Sequence, residues 1–152
     1  MATEKLYAEI DCKSNADKLW VSFRDFIHVY QEAFPPGTYK SVQVLEGDGV
    51  HPGSIRLRIH GEGSPIAMSK EKIESLDEEN KILSFSVIEG DILKYFKSFK
   101  ITGQVVPKDE GCLVKWSCEY EKAADNIPDP IAVKDFSVKG FKELDDYTAK
   151  QA

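Results

Sequence analysis

Polar and apolar residues alternate one by one through "KLYAEIDCK", with Leu6, Ala8, Ile10 and Cys12 on one side and Lys5, Tyr7, Glu9 and Asp11 on the other. A period of two predicts a half-buried strand. The period then lengthens. Behind a cap at Ser14 or Asn15, "ADKLWVSFRDFIHVYQEAF" sets Leu19 or Trp20, Phe23, Phe26 or Ile27, and Tyr30 at helical spacing until Pro35-Pro36-Gly37 stops it. One bent helix or two short helices both satisfy this pattern.

Almost ninety residues of strands and turns follow. "YKSVQVLEG", "SIRLRIHG", "PIAMSKEKIESLD", "KILSFSVIEG", "YFKSFKITGQVVP" and "CLVKWSCEYEK" are separated by turn signals with no helix between them, which predicts an antiparallel meander. Helical spacing returns after Pro128 and Pro130, where Val133, Phe136, Gly140, Leu144 and Tyr147 recur three or four apart. The chain of 152 residues thus reads as one α+β domain: strand, helical segment, six strands, long helix. A seven-stranded sheet curls, and its concave apolar face must receive the last helix. Space left between them is a candidate cavity with an apolar lining and a few polar groups.

Composition narrows the partners. With 26 acidic against 20 basic residues the formal charge is −6, which opposes nucleic-acid binding. Cys12, Cys112 and Cys118 form neither an even set nor a C-x-x-C pair, so they read as buried free thiols of a reducing compartment. The N-terminus lacks the apolar core of a signal peptide and no window approaches a transmembrane span, so a cytosolic protein without membrane insertion is expected.

Few chemical motifs stand out. Gly47, Gly49 and Gly53 in "EGDGVHPGSIR" have the spacing G-x-G-x-x-x-G and lead into a strand, which fits neither a dinucleotide loop nor a P-loop and favours a hairpin connection. His28, His51 and His60 lack metal-ligand spacing, so neither a metal nor another cofactor is implied. No nucleophile elbow or Cys-His arrangement is present.

In "SIRLRIHG", Ile55, Leu57 and Ile59 share one face and Arg56, Arg58 and His60 the other. Hydrophobicity alone turns the apolar set inward. In "KILSFSVIEG" the inward set is Leu83, Phe85 and Val87, and in "CLVKWSCEYEK" it is Val114, Trp116, Cys118 and Tyr120.

"VLEGDGVHPGSI", "SVIEGD", "VKWSCEYEK" and the closing "VKDFSVKGFKELDDY" together resemble the plant major latex protein subfamily of the birch pollen allergen and pathogenesis-related class 10 family. The resemblance runs through nearly the whole chain. It implies a helix-grip fold, with two short helices after the first strand and an internal hydrophobic cavity for sterols, fatty acids, flavonoids or hormone-like molecules. It also implies a cytosolic protein of defence or stress responses, as a monomer or at most a weak dimer.

Carried over residue by residue, the resemblance points Leu83, Phe85, Val87, Val114, Trp116, Cys118 and Tyr120 into the cavity, together with Phe99 and Ile101 of the neighbouring strand. Phe23 and Phe34 are added from the helix pair, and Val133, Phe136 and Gly140 from the closing helix. Through "HPGSI" it turns Arg56, Arg58 and His60 inward, against simple hydrophobicity, and for Arg58 and His60 the family register is preferred here. A cavity so lined favours a carboxylate or phenolate. The expected function is binding, transport or storage of such a molecule, oriented by Arg58, His60 and Tyr120. The alternative is an isomerase or cyclase with His60 as general base. Against it, the resemblance does not place the catalytic Lys, Asp and Tyr of the norcoclaurine synthase branch on residues of this sequence. "GEGSPIA" also stands where the abscisic acid receptors carry their gate.

Overall fold

The computed structural model describes residues 2–151. The first strand, β1 (Glu4–Cys12), leads into α1 (Ala16–Arg24) and α2 (Phe26–Ala33). The Asn15 side chain starts α1 by accepting from the amides of Asp17 and Lys18 at 2.9 and 3.2 Å. The helical segment is two helices because Asp25 leaves helical geometry, at φ −94° and ψ 30°, while its carboxylate takes two hydrogen bonds from the Arg24 guanidinium.

The strands β2 (Tyr39–Glu46), β3 (Ile55–His60), β4 (Met68–Asp77), β5 (Ile82–Gly90), β6 (Phe96–Pro107) and β7 (Cys112–Lys122) follow, and α3 (Ile131–Lys150) closes the chain. A single 3-10 turn, Asp91–Lys94, between β5 and β6 is not foreshadowed by the hydrophobic pattern. All neighbouring strands are antiparallel, in the order β1-β7-β6-β5-β4-β3-β2. The first strand therefore pairs with the last, and β1 and β2 are the edges.

The long helix lies in the curl of this sheet against β1, α1 and α2. Val133, Phe141 and Leu144 bury its apolar stripe. Its other anchor is polar. Buried Asp145 accepts from the backbone amides of Lys13 and Ser14, each at 3.0 Å, and the Ser14 hydroxyl donates to the Asp145 carbonyl at 3.0 Å. The turn after β1 is thereby tied to α3, and the helix is held at a fixed depth.

The glycine-rich segment joins β2 to β3 as a hairpin loop. Gly47, Gly49 and Gly53 take φ of +74°, +83° and +91°, values that disfavour a side chain. The Asp48 carboxylate accepts from the amides of Val50 and His51 at 2.9 Å and from the Ser54 hydroxyl at 3.1 Å, and meets the His51 ring. Two of the loop's amides are thereby taken up by its own carboxylate.

Candidate functional site

Between the sheet and the helices lies a cavity of about 110 Å³. One wall is apolar: Phe85 and Val87 from β5, Phe99 and Ile101 from β6 and Trp116 from β7. The helices supply Phe23, Phe34, Val133, Phe136 and Gly140. The opposite wall is charged, and it comes from β3 and β4.

On β3 the inward residues are Arg56, Arg58 and His60. Arg56 is only 1% exposed and His60 6%, whereas Ile55, Leu57 and Ile59 on the other face are half-buried. Hydrophobic alternation alone gives the wrong face for this strand. The reason is Glu71 of β4, directly opposite Arg56 in the register. Its Oε1 accepts from Arg56 Nη2 at 3.0 Å and from Arg58 Nε at 2.9 Å. A carboxylate shared by two guanidiniums offsets part of the desolvation that would otherwise hold the arginines in water. Aromatic rings complete the setting: the Arg58 guanidinium lies 4.2 Å from the Phe26 ring centre, and both guanidiniums lie within 5.5 Å of Phe85.

The remaining polar groups ring this cluster. Arg58 Nη1 donates to the Tyr39 hydroxyl at 3.3 Å. His60 faces the Ser64 hydroxyl through Nδ1 at 3.0 Å and the Ser69 hydroxyl through Nε2 at 3.5 Å, with its ring against Tyr39 and Phe136. Burial first, and the Arg58 charge second, lower the His60 pKa to about 4. Burial also lowers that of Arg56, to about 10, even with Glu71 beside it.

Four residues expected in the lining stand outside the cavity wall. Leu83, Val114, Cys118 and Tyr120 are inward and buried, yet they belong to solid core. Tyr120 packs on Phe96 and Phe99, and its hydroxyl donates to Asp129 at 2.9 Å, so it is not free to orient a ligand as expected. Cys118 is wholly buried and lies between Leu6 of β1 and Ile101 of β6 in the register. Leu83 and Val114, 1% and 0% exposed, lie opposite Leu76 and Ile10 respectively.

Phe26, Tyr39, Glu71 and Phe141 line the cavity and were missed. Glu71 left one usable signal: it shares a face with apolar Ile73 two residues on, so a strand with Ile73 inward carries Glu71 inward too.

Beyond Phe136 a second recess of about 460 Å³ opens between the Pro35–Thr38 turn, the Gly61–Ser64 turn and α3. Lys40, Glu62, Lys139 and Glu143 place charged groups at its walls, and Phe136 lines both spaces. The two turns are joined by a hydrogen bond from the Gly61 amide to the Thr38 carbonyl at 2.8 Å.

A curled antiparallel sheet gripping its C-terminal helix around a cavity is a helix-grip protein. The chain belongs to the pathogenesis-related protein Bet v 1 family, whose model matches residues 1–151. It is 53% identical over 147 residues to MLP-like protein 423 of Arabidopsis thaliana, covering 96% of this chain and 94% of that one. The crystal structure of ginseng major latex-like protein 151 from Panax ginseng superposes with a TM-score of 0.87 at 29% identity, covering 96% of this chain and 97% of that chain. Truncated norcoclaurine synthase from Thalictrum flavum shares the fold, with a TM-score of 0.84 at 21% identity over 99% of this chain and 96% of that chain. No helix among the described residues is long and apolar enough to cross a membrane.

Proposed function

We propose that the protein binds an apolar or amphipathic small molecule in this cavity and transports or stores it, in plant defence or stress responses. The observation that carries the reading is a cavity walled by Phe85, Phe99 and Trp116 on one side and by a buried cluster of charged groups on the other. Mostly apolar walls with a few convergent polar groups are the usual make-up of a ligand site. Membership of the Bet v 1 family and likeness to major latex proteins support it.

Volume constrains the ligand. A cavity of about 150 Å³ takes a benzene ring, and drug-sized ligands occupy about 300–1,000 Å³. At about 110 Å³ the resting cavity suits a body of single-ring size. Among the sterols, fatty acids, flavonoids and hormone-like molecules expected for the family, the larger ones require Phe136 to move and the two spaces to merge.

Catalysis is less well supported. His60 would have to accept a proton near neutral pH, but with its pKa lowered to about 4 it is a weak base, and both ring nitrogens face serine hydroxyls.

The test uses Trp116, which lines the cavity, while Trp20 is buried elsewhere. A Trp20→Phe variant is titrated with bromobenzene, a neutral single-ring probe whose heavy atom quenches indole fluorescence on contact. Saturable quenching supports an accessible cavity. Absent quenching, or weak quenching that rises with bromobenzene without saturating, would remove the reading, because Trp116 is buried and only an occupied cavity brings the probe to it.

A further inference from the structure

We infer that the ligand of this cavity is a monoanion, a small apolar or aryl body with one acid group that is seated against Arg56 and Arg58. The inference rests on the binding reading above and adds the ligand's charge.

It follows from a count of buried charge. Arg56 and Arg58 bring two positive charges into the wall, and Glu71 brings one negative charge. Among the described residues no other carboxylate is within ion-pair reach of either guanidinium. Asp91, the next acid on this side, keeps its charge but is held by the amides of Ala67 and Met68 and pairs with neither arginine. The neighbouring Tyr39 hydroxyl and His60 ring are uncharged at neutral pH. One positive charge therefore stays uncompensated among Phe26, Phe85 and the cavity.

Hydrogen bonding agrees with the count. The Arg56 Nε–H is buried and has no acceptor. Glu71 Oε1 is shared by both guanidiniums, so one carboxylate is doing the work of two. Buried charges are normally paired, and a fork of guanidinium donors matches a carboxylate geometrically. A ligand with one negative charge makes the wall neutral. A neutral ligand leaves the excess positive charge in place, and a dianion replaces it with an excess negative charge beside Glu71.

The test is isothermal titration calorimetry of the full-length protein at pH 7 with three ligands that share a phenyl body: hydrocinnamate, its neutral amide, and the dianion benzylmalonate. Hydrocinnamate is expected to bind about ten- to a hundredfold more tightly than either of the others, the range for a hydrogen bond to a charged group. Two variants then change the count. Arg58→Met lowers the net charge to zero and moves the preference to the amide. Glu71→Gln raises it to two positive charges and moves the preference to benzylmalonate. Reordering of the three ligands, in protein shown to be folded by circular dichroism, is an effect that a merely structural role would not produce. Wild-type protein that binds the amide as tightly as the acid overturns the inference and leaves the cavity reading standing. Bromobenzene quenching without binding of hydrocinnamate does the same. If neither probe binds, the cavity reading fails and the monoanion with it. Should one variant not fold, the other still decides, because an unchanged ligand order in either contradicts the charge count.

Discussion

Arg56 and Glu71 stand directly opposite one another on β3 and β4, and their side chains meet at 3.0 Å with both residues almost wholly buried. This cross-strand pair sits in a wall that hydrophobic alternation along β3 alone would fill with Ile55, Leu57 and Ile59. It sets the face of β3, brings Arg58 in beside it and gives the cavity its polarity.

Removing the shared carboxylate leaves two guanidiniums buried without a counter-ion. Glu71→Ala is expected to cost about 3–5 kcal/mol, the range for breaking a buried ion pair from one side. Urea denaturation checks it. A loss under about 1 kcal/mol would mean that water reaches the arginines and that the wall is not sealed.

His60 gives the stability a defined pH dependence. The unfolded chain protonates near the ordinary value of 6.5 and the folded one only near 4, because burial and Arg58 oppose the charge. Between these values the unfolded state holds the extra proton. Stability contributed by neutral His60 is complete above pH 6.5 and falls as pH drops toward about 4, by about 3 kcal/mol in all. Replacing it by Gln in His60→Gln should flatten that interval in denaturation curves taken at each pH.

Neighbouring acids on α3 should behave differently. Asp145 is buried and accepts two backbone amides, so Asp145→Ala is expected to cost about 2–3 kcal/mol. Lys13 pairs with Asp146 at 2.6 Å on the exposed surface, and Lys13→Ala should leave the melting temperature almost unchanged. Thermal melts of both variants make the comparison.

Two glycines separate helix propensity from loop fit. A Cβ at Gly140 in α3 would meet Phe34 no closer than 3.7 Å, so Gly140→Ala should raise stability by about 0.5–1 kcal/mol while reducing the cavity by a methyl group. A Cβ at Gly61 would fall 1.5 Å from the Gly37 carbonyl oxygen, so Gly61→Ala must push the two turns at the outer recess apart. That variant should melt lower and exchange bound hydrocinnamate faster, as measured by stopped-flow displacement.

The element order was legible because each element carries its own period, two in β1, β5 and β7 and near four in α3. The bend at Asp25 is not determined by the pattern, since Phe26 and Ile27 continue a helical spacing that only the backbone at Asp25 interrupts. The face of β3 was not legible from alternation, because a buried Arg56 depends on a carboxylate on another strand and periodicity sees one strand at a time. The limits of the cavity were hidden for a related reason. Trp116, Cys118 and Tyr120 occupy equivalent positions on one strand face, and whether each meets open space or packed side chains such as Phe96 depends on elements outside that strand. Tyr120 in particular is withdrawn by Asp129, just ahead of α3, a partner nine residues away that no strand pattern contains.

Native mass spectrometry of the protein isolated from its source tissue, followed by denaturing extraction, tests the central claim most directly. The account expects a single small molecule at one copy per chain, carrying one acid group and recovered intact. Protein that is empty as isolated and takes up nothing from an extract of the same tissue would contradict it.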